Sequence, residues 1–252
     1  HSSSGQAGRR EPARNRDLML PTIHRVTRLD LTLEPRRWAF AEERRAEITA
    51  YFLARQREIP QLWNGRVLLA CDPNFASDCF SARYFETDFA SFLAWRDWGC
   101  PDDTVFNGFG MGALRSSDGV FVLGEMAAHT ANAGKVYFPS GTPDLDDLDG
   151  TTVDIAGSVA REVTEETGLT IADYQAAPYW DCVVSGGSIA MMRLLDSPWS
   201  GDVLRQRIEV NLAQQRSPEL AGMHLVRHRE DMTSAMPIFV TRYIETVLKN
   251  VA

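Results

Sequence analysis

The chain has 252 residues, of which 44% are hydrophobic and 24% are charged, and its formal net charge at pH 7 is -8. This composition is typical of a globular protein with one large core or two small ones. The acidic balance argues against a nucleic acid polymer or an anionic membrane as partner, since both are bound through clustered Lys and Arg. No apolar run reaches the roughly 18 to 20 residues of a membrane span, so we expect a cytoplasmic protein.

The N-terminal part is predicted to contain a tail and then an α+β extension. Residues 1–20 form the tail, and the first five, His-Ser-Ser-Ser-Gly, are typical of a purification remnant. Residues 21–103 form the extension, which ends at a Gly-Cys-Pro break. Its pattern predicts a strand at 23–33, a helix at 37–57 and a second strand at 65–70. Residues 79–98 are rich in aromatic side chains and are predicted to form a strand and then a helix.

Residues 104–250 are predicted to form a second α+β domain. Asp118-Gly119 between two apolar runs indicates a hairpin. Alternation and helical spacing predict strands at 105–114, 120–126, 135–138, 179–184, 188–195 and 223–228, and helices at 154–167, 203–215 and 237–249. Gly168 stands where a left-handed C-cap would end the first of these helices.

That helix combines an apolar stripe with an acidic face. Glu162, Glu165 and Glu166 fall within an arc of roughly 100° beside the stripe. Like charges at these spacings repel, and the helix dipole disfavours anions near a C-terminus. One interpretation is a solvated face on which Arg161 pairs with Glu165. The other is a site for Mg²⁺ or Mn²⁺, which prefer hard oxygen ligands and would relieve both penalties.

Residues 161–169, REVTEETGL, resemble the second half of the Nudix box, G-x5-E-x7-R-E-U-x-E-E-x-G-U, in which U is aliphatic. Upstream, Phe-Pro-Ser-Gly at 138–141 is similar to the family's F-P-G-G. Gly141 and Arg161 are six positions further apart than in the pattern. The first Glu of the box falls on Asp147 when counted forward from Gly141, or on Val153, beside an aspartate, when counted back from Arg161.

The resemblance implies a Nudix fold, in which a mixed β-sheet lies between helices as an α/β/α sandwich. It implies metal-dependent hydrolysis of a pyrophosphate bond in a nucleoside diphosphate linked to another moiety. Carried over by position, Mg²⁺ or Mn²⁺ would be bound by Glu162, Glu165, Glu166 and the Gly141 carbonyl. Glu162 is also the candidate base.

Two further roles follow from the resemblance. Arg161 would orient Glu165, a support role that metal sites generally need. Many members supply another carboxylate from a loop before a late strand. We choose Glu219 for it, over Asp202 and Glu209.

The 142–153 insert is expected to be a surface excursion that leaves the helix intact, because added loop length costs little entropy.

The substrate stays open among nucleotide sugars, ADP-ribose, dinucleoside polyphosphates and coenzyme A, although Gly-Lys-Val-Tyr-Phe-Pro at 134–139 is similar to the segment before the box in coenzyme A diphosphatases. Homodimer formation is also open.

Two other functions compete with the enzymatic one. They are a non-catalytic Nudix-like domain that binds a nucleotide and regulates, and a protein-interaction module with an incidental acidic helix. Retention of all three box glutamates favours the enzyme.

Overall fold

The computed structural model describes residues 20–251, without the side chains of the last two, so nearly all of the predicted tail lies outside the described residues. The strands are β1 (Thr22–Val26), β2 (Arg28–Leu33), β3 (Arg66–Ala76), β4 (Cys79–Asp88), β5 (Val105–Arg115), β6 (Phe121–Met126), β7 (Val136–Tyr137), β8 (Leu148–Asp149), β9 (Thr152–Val153), β10 (Gln175–Ala176), β11 (Trp180–Ser185), β12 (Ser188–Asp196) and β13 (Leu220–Val226). The helices are α1 (Ala39–Glu43), α2 (Arg45–Glu58), α3 (Phe89–Asp97), α4 (Ile155–Thr167), α5 (Gly201–Gln214) and α6 (Ile238–Val251).

The predicted elements are present, but several of them differ in their bounds. The strand predicted over 65–70 continues to Ala76. The strand predicted over 23–33 is broken at Thr27, whose backbone N–H and hydroxyl both donate to the Asp78 carboxylate. The helix predicted over 37–57 is divided into α1 and α2 at Arg44. The strand predicted over 223–228 ends at Val226, because the next two backbone N–H groups donate to the Asp231 carboxylate instead of a strand partner.

The strands form one mixed sheet, as the predicted α+β fold requires. Its main path runs β1-β11-β12-β5-β3-β4-β2-β9-β8, and a branch of β6, β7 and β13 joins at β5. β12 is parallel to β5 and β2 is parallel to β4, whereas the other pairings are antiparallel. The β3–β5 and β1–β11 pairs cross the boundary predicted near residue 103. The sheet is therefore continuous between the two predicted parts.

Helices cover both faces of the sheet around β5. Alternate residues of β5 face opposite sides, so Phe106 and Leu114 pack in one core with α4 and α5. Met111 and Ala113 pack in a second core with α6. A third core joins α1, α2 and α3 to β3 and β4. The sandwich expected for residues 104–250 is thus present, and the N-terminal helices extend it.

Glycines on β5 bring α4 close to the sheet. A Cβ atom at Gly110 would lie 2.5 Å from Cγ2 of Val159, and one at Gly112 would lie 2.7 Å from Cγ2 of Val163. Real Cβ atoms do not approach other atoms so closely, so any larger residue would push the helix outward. The two glycines therefore fix the height at which α4 holds its acidic face.

The six extra residues of the box lie in a segment that forms a small hairpin before α4. β8 and β9 pair across Gly150, which has a φ of 61°, and Thr152 on β9 pairs with Thr32 on β2. Asp154 then caps α4 by accepting a hydrogen bond from the Gly157 backbone N–H at 2.9 Å. Val153 is buried, but in β9 and not in a helix. The insert leaves α4 intact, although part of it is core rather than surface.

Candidate active site

Two of the three box glutamates point into the protein. Glu166 is 5% exposed, and the side chain of Glu162 is 13% exposed. The Glu165 side chain is 60% exposed and faces solvent. Residues four apart share a helix face, so Glu162 and Glu166 are stacked one turn apart. The structure thus brings together a buried pair of carboxylates, with Glu165 at its rim.

The buried pair meets the 139–141 loop, which the resemblance places at the start of the box. The backbone N–H of Ser140 donates to Oε1 of Glu166 over 3.4 Å. A Cβ atom at residue 141 would lie 2.5 Å from Oε1 of Glu162, so a larger residue there would displace the Glu162 carboxylate. The loop is anchored to β5, because the Gly112 backbone N–H donates to the Pro139 carbonyl. Gly141 therefore lies beside the Glu162 carboxylate. Binding of a cation by the Gly141 carbonyl stays a prediction.

Burial and mutual repulsion raise the pKa values of both carboxyl groups. Burial is the main cause for Glu162, whose pKa is raised to about 7 even though Arg161 lowers it. Burial also raises the pKa of Glu166 well above its usual range, and the charges of Glu162 and Glu219 raise it further. Glu219 is exposed but close enough to act on both groups. A bound cation would offset these unfavourable interactions.

Arg161 joins the helix to the insert. Its Nη2 lies 3.0 Å and 3.1 Å from the two carboxylate oxygens of Asp147, whose side chain is 2% exposed. Its Nη1 lies 3.2 Å from Glu162 and 3.4 Å from Glu165. Asp147 is therefore the acidic residue of the insert that pairs with Arg161, which favours the forward count from Gly141. The predicted Arg161–Glu165 contact is present, but Asp147 is the closer partner.

The donor set suits a divalent cation bound partly by the protein. Within residues 20–251, no three His, Cys, Asp or Glu side chains are arranged as a complete metal site. Mg²⁺ generally uses one or two protein carboxylates and completes its shell with water and substrate phosphates. Glu162 and Glu166 are such a pair of hard oxygen donors. The buried pair thus fits the ion, while ligation by Glu165, Glu219 and Gly141 stays a prediction.

A cavity of about 730 Å³ adjoins the same loop. Ser140 and Gly141 line it on the side of the carboxylates. Its other walls come from α2, α3, β5, the segment before β7 and the start of α6, with the side chains of Tyr51, Arg55, Arg96, Lys135, Tyr137 and Phe239 among them. The cavity is large enough for a small organic ligand.

Sequence reasoning missed the cavity residues of the N-terminal region. Arg55 and Arg96 lie on ordinary-looking helices, without a motif that would link them to the box. Only the tertiary fold brings them to the 139–141 loop. The glycines of β5 did leave a signal, because Gly108, Gly110 and Gly112 alternate along one strand face, a pattern that indicates close approach of another element.

No protein-family model and no curated protein matches the sequence. In structure, the chain is similar to the MutT protein from Methanosarcina mazei Go1, with 19% identity, a TM-score of 0.36, and coverage of 58% of this chain and 95% of that chain. A Nudix hydrolase from M. Smegmatis, RenU, has 11% identity, a TM-score of 0.36, and coverage of 57% of this chain and 86% of that chain.

The C-terminal domain of mouse MUTYH, solved in complex with human PCNA, has 12% identity, a TM-score of 0.34, and coverage of 57% of this chain and 88% of that chain. The mixed sheet with helices on both faces confirms the predicted α+β fold. None of the helices within residues 20–251 has the length and apolar character needed to cross a membrane.

Proposed function

We propose that the protein is a divalent-cation-dependent hydrolase that cleaves the pyrophosphate bond of a nucleoside diphosphate linked to another moiety. The observation that carries this proposal is the buried pair Glu162 and Glu166 against the 139–141 loop. Buried carboxylates that repel one another reduce stability, so an arrangement of this kind is typical of a site that binds a cation. The REVTEETGL motif supports the same chemistry.

The residues divide into three roles. Glu162 and Glu166 hold the cation, which neutralises phosphate charge and makes the bound water more acidic. Glu162 is also the group that accepts the proton of the attacking water. Arg161 keeps Glu162 and Glu165 in place, and it is itself held by Asp147. Glu165 and Glu219 add negative charge at the rim, where they favour entry of a cation.

The metal requirement is tested first without any substrate. Saturating Mg²⁺ or Mn²⁺ should raise the melting temperature of the protein by several degrees, since a ligand at 100 times its Kd stabilises the folded state by about 2.7 kcal/mol. Thermal denaturation in chelator and across a cation titration measures the shift. An unchanged melting temperature in both titrations would count against the cation site.

Catalysis is tested by phosphate release from nucleoside diphosphate sugars, ADP-ribose, dinucleoside polyphosphates and coenzyme A, with Mg²⁺ and with Mn²⁺. The products are treated with phosphatase, so that cleavage of the anhydride becomes visible as inorganic phosphate. For coenzyme A the release is compared with a sample that lacks the protein, because phosphatase also removes the 3′-phosphate of the intact molecule. We expect turnover of at least one class that chelator abolishes. A cation-dependent melting temperature with no turnover of any substrate would favour the non-catalytic, nucleotide-binding domain instead.

A further inference from the structure

The cavity beside the 139–141 loop is built by two parts of the chain that are distant in sequence. The Ser140–Gly141 side belongs to the acidic motif and contacts Glu162 and Glu166. The opposite side belongs to α2 and α3 of the N-terminal region. A substrate whose pyrophosphate lies at the carboxylates would extend into this space. The N-terminal helices are therefore placed to contact the rest of that substrate.

Cations predominate among the charged side chains that line the cavity, in a chain whose net charge is -8. They are Arg55, Arg96 and Lys135, and the lining carboxylate is Asp97. Asp97 is already engaged, since it accepts hydrogen bonds from Nε of Arg96 at 2.8 Å and from the Tyr51 hydroxyl at 2.7 Å. With Asp97 paired to Arg96, the remaining charged residues that line the cavity, Arg55 and Lys135, are both positive.

Arg55 has unused hydrogen-bonding capacity. Its side chain is 26% exposed, and its Nη1 forms an ion pair with the largely exposed Glu58 on the same helix. Its Nε is buried, and within residues 20–251 nothing accepts a hydrogen bond from it. An unsatisfied buried donor costs free energy. An anionic ligand in the cavity would accept hydrogen bonds from the part of the guanidinium group that lines it, and a guanidinium group binds phosphate and carboxylate well.

The wall beside Arg55 is tied together by hydrogen bonds and carries aromatic surface. Nη1 of Arg96 donates to the Asn132 side chain at 3.1 Å, and Asn132 in turn donates to the Tyr137 hydroxyl at 3.1 Å. This chain of bonds fixes the segment before β7 against α3. The half-buried ring of Phe239 faces the same cavity. A rigid wall with exposed ring surface suits a planar heterocycle, since aromatic rings stack favourably.

We propose that this cavity recognises the part of the substrate beyond the scissile pyrophosphate, and that this part carries a planar ring and a second anionic group bound by Arg55 and Lys135. The inference rests on the proposed function, because it takes the carboxylates as the place of the pyrophosphate. It assigns substrate selection to the N-terminal region. Pyrophosphate substrates with an additional phosphate are then preferred over those without it.

Matched ligand pairs test this preference: coenzyme A against dephospho-coenzyme A, and NADPH against NADH, which differ by one phosphate. Binding to the full chain is measured by calorimetry in Mg²⁺, because without the cation the carboxylates of the site would repel the pyrophosphate of every ligand. Where a ligand is hydrolysed, the ratio of the KM values within the pair is measured instead. In at least one pair, the ligand with the extra phosphate should bind about tenfold or more tightly. A hydrogen bond to a charged group contributes enough binding free energy to account for a tenfold difference in Kd.

The deciding variant is Arg55→Gln, which removes the charge and keeps much of the side-chain length. It should reduce the preference to within about twofold, since the charge-assisted bonds are lost. Arg57→Gln is the control, because Arg57 is an exposed residue of α2 outside the cavity, and it should keep the full preference. No preference in either pair, or a preference that Arg55→Gln retains, would overturn the inference.

The two proposals fail in different ways. A phosphate preference that depends on Arg55, without hydrolysis of any ligand, would leave the cavity assignment standing and remove the enzymatic function. Cation-dependent hydrolysis with equal binding of both members of each pair would leave the enzyme standing and overturn the cavity assignment.

Discussion

The two halves of the acidic motif are held in place by different parts of the chain. The second half, residues 161–169, lies on α4 and its cap, and its position is set by packing on the glycines of β5. The first half, residues 141–153, depends on the N-terminal strands, since the Leu68 backbone N–H donates to the Pro143 carbonyl at 2.7 Å. One half is thus fixed by a local helix and the other by distant pairing. Substitutions in each half test this difference.

The largest effect is expected from Val163→Asp on the packing face of α4. Val163 is fully buried against Gly112, so a carboxylate there would be desolvated without a partner. The loss of stability should be on the order of 5 kcal/mol, comparable with the whole stability of many domains. Circular dichroism should show an unfolded or molten chain. A native spectrum with an unchanged urea midpoint would mean that α4 does not rest on β5 as described.

Glu166→Gln, one turn further along α4, should instead remove activity and preserve the fold. Gln keeps the shape of the side chain and removes the negative charge that would hold the cation. By analogy with other losses of transition-state electrostatics, kcat should fall by about a hundredfold or more. The assay is phosphate release on whichever substrate the screen identifies.

Glu209→Gln is the matched control for Glu166→Gln. Glu209 is an exposed glutamate on α5, so the same chemical change there should leave kcat unchanged. Stability of the Glu166→Gln protein in chelator should not fall, because a buried group that resists ionisation is replaced by a neutral one. Full activity in Glu166→Gln would remove Glu166 from the cation site and favour the non-catalytic function.

The buried pair should also make stability depend on pH. Burial raises the pKa of Glu162 to about 7, whereas in the unfolded chain it is close to the ordinary 4.5. The folded state therefore binds the proton more tightly, and stability is lost as pH rises from about 4.5 to about 7. A shift of this size corresponds to about 2 to 3 kcal/mol.

Urea denaturation in chelator at several pH values measures that loss. Glu162→Gln provides the comparison, since the variant lacks the titrating group but keeps the rest of the chain. As the pH rises from 4.5 to 7, the unfolding free energy of the wild type should decrease relative to that of Glu162→Gln. Parallel pH profiles would contradict the raised pKa.

Asp147→Asn tests the contact between the two halves. It weakens the ion pair with Arg161 and leaves a buried, less well satisfied guanidinium, at a cost of about 1 to 2 kcal/mol. Activity should fall about tenfold, because Arg161 also contacts Glu162. Asp146→Asn changes the exposed neighbour and should alter neither property. Equal effects of the two substitutions would show that the Arg161–Asp147 pair has no special role.

The sequence predicted the second half of the motif far better than the first. Helical periodicity, the acidic face and the left-handed cap at Gly168 are local features, and the structure has all of them. The position of the first acidic residue could not be decided from spacing, because two counts were equally consistent. Asp147 is buried against Arg161, which favours the forward count. The segment around Asp147 is held by strands more than seventy residues earlier in the chain.

The cavity was beyond prediction for the same reason. Arg55 and Arg96 become neighbours of the 139–141 loop only through the β3–β5 pairing and the packing of α2 and α3. Charged residues on amphipathic helices are common, and their spacing carries no information about a partner so distant in sequence. The individual strands could be predicted because their sequence patterns are local. The order of the strands in the sheet could not, because it depends on pairing between segments that are distant in sequence.

The smallest effects are expected from two glycines that stand at matched places in the two halves. Gly150 in the β8–β9 turn has a φ of 61°, and Gly168 at the end of α4 has a φ of 75°. Alanine in the left-handed region costs roughly 1 kcal/mol. At Gly150 nothing lies within 4 Å of the added Cβ, so Gly150→Ala should lower the unfolding free energy by about that amount and leave kcat unchanged. At Gly168 the Cβ would lie 2.5 Å from Cγ of Asn211 on α5, so Gly168→Ala should cost more, because α5 must also shift. Urea denaturation of both variants measures the difference. Equal losses of unfolding free energy would show that the contact between α4 and α5 adapts to the added methyl group. The second half of the motif would then be held no more rigidly than the β8–β9 hairpin.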